Sequence, residues 1–213
     1  MARFDLAQAF TARWEGGLSD NPRDPGGLTN YGVSLRWLRQ EGVSFGDVDG
    51  DGDIDADDIR KLTPDMAATM FKKKFWDPYG LDLLPQLTAT LHYDCTVNTG
   101  PRQATLITQR ACNKVVGSYG TKLVVDGKFG TRTHTFLKQF STPALAEHML
   151  EGRIRFYRDL AQSKPQFQCF LKGWLARCDD LRDYLEEHPC LAIRSPFPTP
   201  CTVWTVVGPP CES

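Results

Sequence analysis

Residues 14–34 read WEGGLSDNPRDPGGLTNYGVS. Upstream of this stretch, Phe4, Ala7, Phe10 and Trp14 fall on one face of a helix, and Gly16 and Gly17 supply the left-handed cap that would end it. Glu15 is then placed in the last helical turn. Downstream, a polar loop rich in glycine and proline leads into LTNYGVS, which reads as a short extended segment or β-hairpin. The stretch therefore predicts a helix, a loop and a small piece of extended chain, with two acids, Glu15 and Asp24, between them.

The rest of the chain reads as helices. Thr63 followed by Pro64 is an N-cap and first helical residue, opening a helix through Met66, Met70 and Phe71 to Trp76. Pro85, Pro101 and Pro143 read as further first-turn prolines. Leu87, Leu91 and Cys95 mark one helix, closed at Asn98, Thr99 and Gly100; Ala104, Ile107, Ala111 and Val115 mark another, closed at Gly117. Near the end, Phe167, Phe170, Leu171, Trp174, Leu175, Cys178, Leu181 and Leu185 form a wide apolar stripe expected to face a core. Besides LTNYGVS, only KLVVDG at 122–127 suggests extended chain. The fold class is mainly α.

Three regions are expected: residues 1–90, residues 91–188 as a helical region packed against the first, and a Pro/Cys-rich tail over 189–213. The tail is apolar enough at Val203, Trp204, Val206 and Val207 to pack against the body. Cys178, Cys190, Cys201 and Cys211 cluster around it as either two disulfides or free thiols.

With 213 residues, 41% of them hydrophobic and 11% aromatic, the composition is globular. No apolar run is long enough to span a bilayer, and MARFDLAQAFTARW lacks a signal peptide's apolar core. We therefore expect no membrane insertion and synthesis in the cytoplasm. The net charge is −1, yet Asp47, Asp49, Asp51, Asp53, Asp55, Asp57 and Asp58 crowd into one segment. The remaining surface is mildly basic, which suits an anionic polymer without naming one. The seven cysteines form no CxxC pair, and His92, His134, His148 and His188 share no ligand motif, so a zinc site is not expected.

The acidic segment DVDGDGDIDADD, residues 47–58, has the offsets of an EF-hand calcium loop: Asp47, Asp49 and Asp51 at positions 1, 3 and 5, Gly52 at 6, Asp53 at 7 through its carbonyl, and Asp58 at 12. Aspartate in place of glutamate at position 12 makes it closer to dockerin-type loops. So many carboxylates repel one another unless a cation joins them. We expect a structural Ca²⁺ held by Asp47, Asp49, Asp51, Asp53 and Asp58.

For Glu15, the negative end of the helix dipole and the neighbouring Trp14 both disfavour the ionised form. A carboxylic acid protonated near neutral pH is what glycosidic cleavage needs at the leaving oxygen. Asp24 reads either as a second carboxylate or as a brace for the loop.

E-G-G followed by D-P-G-G-x-T-x-Y-G-V resembles the N-terminal motif of glycoside hydrolase family 108, the lysozymes of phage endolysins and their relatives. FKKKFWDPYGLDLLP, the D-x-x-V-N-x-G turn within HYDCTVNTGPRQATLITQRA, VDGKFGTRT and FLKGWLAR resemble the family's later landmarks in the same order, the last two in a peptidoglycan-binding region. The resemblance implies a lysozyme-like helical fold. It also implies an N-acetylmuramidase cutting between N-acetylmuramic acid and N-acetylglucosamine of peptidoglycan, with Glu15 as general acid. Asp24 and Thr29 are similar to members of the Glu, Asp, Thr set of phage-type lysozymes, although one residue fewer separates them here. Thr29, Tyr31 and Asn98 are candidate sugar contacts, or turn and packing residues. The expected partner is peptidoglycan, reached in the periplasm after release, with no nucleic acid; the expected state is monomeric. Two other readings stay open: a lytic transglycosylase using the same glutamate, and a non-catalytic, calcium-dependent wall-binding protein.

Overall fold

The computed structural model describes residues 1–20, 27–118 and 120–187. The expected tail at 189–213 and its cysteines Cys190, Cys201 and Cys211 lie outside the described residues, as does Asp24. Cys178 is a buried free thiol.

The molecule is built around one helix that has no outside. α6, Gln86–Thr99, is buried at every position from Gln86 to Thr96. A helix apolar on one side only would pack on one neighbour; this one is enclosed on all sides. Helix α1, Phe4–Trp14, packs on it, as do α7, Pro101–Val116, and α9, Pro143–Ser163. The segment 72–83, a π turn at Lys72–Trp76 followed by two short 3₁₀ turns, closes another side. Phe4, Trp76 and Tyr93 meet edge to face at 5.4–5.6 Å between ring centres, which locks α1, the π turn and α6 together. One continuous apolar core runs from Ala2 to Leu185, so the predicted first and second regions share it.

Most of the helix-start signals read from capping chemistry are met. Thr63 accepts from the Met66 amide to open α5, Pro64–Phe71, and Pro101 and Pro143 occupy first turns; Pro85 stands one place earlier, at the N-cap. Ser34 caps α2, Leu35–Glu41, which is followed by a single turn, α3, Val43–Gly46. Helix α4, Ala56–Lys61, starts with a capping box in which Asp55 and Asp58 bind each other's backbone amides.

LTNYGVS is a hairpin: β1, Thr29–Asn30, pairs antiparallel with β2, Val33–Ser34, with Thr29 opposite Ser34 and Asn30 opposite Val33. Tyr31 and Gly32 form the two-residue turn with φ of 48° and 79°, the double positive φ of a type I′ turn. Ser19 bridges to Thr29 on the other edge, and the buried Asn30 donates its amide to the Ile59 carbonyl, 3.0 Å away. KLVVDG, by contrast, is not a strand. Its backbone groups bind side chains of α7 where a partner strand would have been: Asn113 pairs with both polar groups of Leu123, and Gln109 Oε1 accepts from the Asp126 and Gly127 amides. Chain continues as α8, Thr131–Gln139.

The last described helix, α10, Gln168–Glu187, runs antiparallel to α1. The Tyr184 hydroxyl donates to the Leu6 carbonyl at 3.1 Å, Trp14 Nε1 donates to Asp180 at 2.6 Å, and Arg177 reaches Glu15. The predicted stripe is only half right. Cys178, Leu181 and Leu185 are buried, whereas Phe167, Leu171, Trp174 and Leu175 are half-exposed and Phe170 is exposed. The reason is geometric: α1 stops at Glu15, so residues 168–176 of α10 continue roughly 13 Å beyond it.

Candidate active site around Glu15

Glu15 is the C-cap of α1, not a residue of its last turn. Its φ and ψ of −87° and 118° are extended, and its amide still donates to the Thr11 carbonyl. Gly16 and Gly17 do not take the left-handed conformation expected of them. Helix α1 ends instead because the Glu15 backbone extends, which turns its carboxyl toward the interior.

Two things receive that carboxyl. One is the hairpin turn: a methyl group built on Gly32 would lie 2.5 Å from Glu15 Oε2, so this close approach needs a residue without a side chain. The other is Arg177, whose Nη1 donates to Oε1 at 2.9 Å. Burial raises the proton affinity of Glu15, and the Arg177 charge works against it. The direction is the one expected, but its main source is burial.

Behind Glu15 stands a network that the residue-by-residue reading missed. Asp94, on α6, is completely buried and accepts from Thr11 Oγ1 at 2.9 Å, from Arg153 Nη1 at 2.6 Å and from Arg177 Nη2 at 2.7 Å. Arg177 Nε also lies 3.2 Å from both Asp94 oxygens. The two guanidiniums hold the Asp94 carboxyl well below the usual carboxylate range. Arg153 Nε in turn donates to the Tyr157 hydroxyl at 2.7 Å, and that hydroxyl donates to Asn98 Oδ1. Both Asp94 oxygens are taken and neither meets solvent, so Asp94 cannot serve as a second carboxylate on substrate.

Of the other expected site residues, Thr29 donates its hydroxyl to the Gly27 carbonyl at 3.0 Å, Tyr31 holds the first turn position, and Asn98 is tied to Tyr157. Next to this group lies a ladder of aromatic rings on the free end of α10. Trp174 stacks on Tyr157 at 5.0 Å and 23°, Phe170 stacks on Trp174 at 5.8 Å and 28°, and Phe167 lies 6.3 Å from Trp174.

The acidic loop is well formed. Asp58 Oδ1 accepts from the Val48 and Asp49 amides and Oδ2 from the Asp55 amide, while Asp47 accepts from those of Gly50 and Gly52. Gly50 and Gly52 carry φ of 81° and 99°. Carboxylate oxygens of Asp47, Asp49 and Asp58 lie within 4.8 Å of one another, and so do those of Asp53, Asp55 and Asp58. Asp51 joins neither set; its Oδ1 accepts from the Asp53 amide. Asp49 Oδ2 pairs with Lys61 at 3.1 Å, but its Oδ1 is buried with no hydrogen-bond partner among the described residues. A buried carboxylate oxygen without a donor, on a residue clustered with two other carboxylates, fits a hard cation. Repulsion from Asp51 raises the proton affinity of Asp53.

Residues 8–100 match the family described as Glycosyl hydrolase 108, and residues 103–179 match the one described as Predicted Peptidoglycan domain. No curated protein matches the chain significantly. The solved structure of Brucella abortus SagA is similar in fold, with a TM-score of 0.67 at 23% identity, over 86% of this chain and 94% of that one. No described helix is long and apolar enough to cross a membrane. A buried glutamate at a helix end, the hairpin and glycine turn that receive it, and the two consecutive family matches agree: residues 8–100 are similar to the glycosyl hydrolase 108 family, residues 103–179 to a peptidoglycan domain, and together they mark a glycoside hydrolase acting on peptidoglycan.

Proposed function

We propose that the chain is an N-acetylmuramidase, hydrolysing the β-1,4 bond between N-acetylmuramic acid and N-acetylglucosamine and acting as an endolysin in bacterial lysis. Glu15 is the general acid. The observation that carries this reading is the position of its carboxyl: buried enough to hold a proton, yet at the rim where α1, the hairpin turn and the free end of α10 meet. The proton passes from Glu15 to the glycosidic oxygen as the C1–O bond breaks, the bonding electron pair staying on that oxygen. One water is consumed; its hydroxyl ends on C1 and its proton restores the Glu15 carboxyl. Thr29, Tyr31 and Asn98 line the glycan's approach, and the Trp174 and Phe170 rings, with Trp174 backed by the buried Tyr157, offer flat apolar faces to the C–H faces of sugars.

A lytic transglycosylase reading is favoured by one observation: among the described residues, the acid bound into the Glu15 network is Asp94, which is sealed off from substrate. Mass spectrometry of digested sacculi separates the two. Reducing-end muramic acid is the expected product; anhydromuramyl ends would replace hydrolysis by transglycosylation, and reducing-end glucosamine would move the cut to the other bond.

We also propose a structural Ca²⁺ in the 47–58 loop, with Asp47, Asp49 and Asp58 contributing carboxylates and Asp51 and Asp53 completing the set. The buried, unpartnered Asp49 Oδ1 is what supports it. A bound divalent ion would supply charge compensation and hold the α2–α3 segment to α4.

A further inference from the structure

The two family matches meet inside one hydrogen-bonded cluster. Thr11, Glu15 and Asp94 come from the glycosyl hydrolase stretch, whereas Arg153 and Arg177 come from the peptidoglycan stretch. Arg177 is divided between them: Nε and Nη2 face Asp94, and Nη1 faces Glu15. A planar guanidinium presents such a fork with fixed angles, and a lysine ammonium has no equivalent. Arg177 is itself almost wholly buried, and Asp94 fixes it from behind. We infer that Arg177 is a positioning residue for Glu15, lent by the peptidoglycan region and held by Asp94, so that this region completes the hydrolytic site as well as offering a surface to the wall.

The inference rests on Glu15 being the acid. Among the described residues, the charged and titratable groups bearing on Glu15 include Arg177 from α10, Arg153 from α9, and Asp94 and Tyr93 from α6, while the Gly32 backbone approaches it from the hairpin. With Glu15 ionised, two cations face two carboxylates. With Glu15 protonated, one buried positive charge is in excess, and it favours the carboxylate that forms when the proton leaves. Arg177 thus sets both the direction of the carboxyl and the ease with which it releases its proton.

The test uses the full chain with Arg177→Met and Arg177→Lys, measuring turnover of purified sacculi against pH, pelleting with sacculi, and melting. Arg177→Met is expected to lose about 10²-fold in kcat and to move the alkaline limb of the pH profile upward by about one unit, with pelleting unchanged. Arg177→Lys restores the limb but not kcat. A folded Arg177→Met protein with wild-type kcat and limb overturns the inference, as does one that loses only pelleting. Should Arg177→Met fail to fold, full kcat in Arg177→Lys overturns it, and reduced kcat with an unmoved limb supports it. Glu15→Gln is the control for the underlying reading: hydrolysis surviving there removes Glu15 as the acid, whatever Arg177 does.

Discussion

Glu15 Oε2 rests against Gly32 so closely that a single added methyl would sit 2.5 Å from it, well inside van der Waals contact. The helix that ends at Glu15 and the turn that begins at Tyr31 are therefore fitted to each other through the absence of a side chain. Gly32 also carries φ of 79°, which an L-residue adopts only at a cost of about 1–2 kcal/mol.

Gly32→Ala should consequently leave a folded protein with a displaced carboxyl. A shift on the order of 1 Å in a catalytic group costs about 10²-fold in rate. The expected result is a loss of that order in kcat with a melting temperature only a few degrees lower. Unchanged turnover would mean that the Glu15 carboxyl does not need this contact.

Asp94 gives a stability prediction with a defined sign. Its folded-state proton affinity is depressed by Arg177 and Arg153. Its contribution is then fully present above the unfolded value of about 3.9 and is lost as pH falls below it. Asp94→Asn leaves the buried Arg153 guanidinium without its counter-ion and Arg177 with Glu15 as its remaining one, a cost of about 3–5 kcal/mol. Thermal melts across pH 2–7 should show the variant less stable by roughly 10 °C at neutral pH, with the gap narrowing toward acid. A constant gap would detach the effect from the Asp94 charge.

For the 47–58 loop, an ion that binds only the native state stabilises it by about 2.7 kcal/mol at a hundredfold excess over its Kd. Melting should rise with added Ca²⁺ and fall with chelator, and Asp49→Asn should remove most of the difference. Identical curves in calcium and chelator would leave the loop as a set of backbone clasps alone.

The rings on the free end of α10 should carry wall affinity without carrying the fold, since Trp174 is only half-buried. Trp174→Ala is expected to weaken pelleting with sacculi about five- to tenfold, a loss of about 1 kcal/mol, while Trp174→Tyr keeps most of it. Undiminished pelleting in Trp174→Ala would take the ladder out of the sugar path.

What could be read beforehand was local. The cap at Thr63, first-turn prolines and the Asn-Tyr-Gly-Val hairpin are written in neighbouring residues, and so is the Glu15 motif. The Asp94 cluster is not, because its contacts join positions 83 and 59 apart. Its signals were present in another form: a charge in a helix buried on all sides, and an arginine beside Cys178 in an apolar stripe. Periodicity marks both as exceptions without saying that they answer each other. The half-exposed aromatic residues were misjudged for a related reason, since a stripe shows which side of a helix is apolar but not where its neighbour stops. KLVVDG had strand composition, yet Asn113 and Gln109 satisfied its backbone first.

The antiparallel seam between α1 and α10 also has a bearing on when the enzyme comes alive. Glu15 and Arg177 are 162 positions apart, so a chain emerging from the ribosome can form α1, the hairpin and α6 long before the guanidinium exists. A contact between positions so far apart can form only after the loop between them closes, and until α10 arrives Asp94 has no partner from that side. Activity should appear late and all at once during synthesis, with α10 acting as the key that completes the lock.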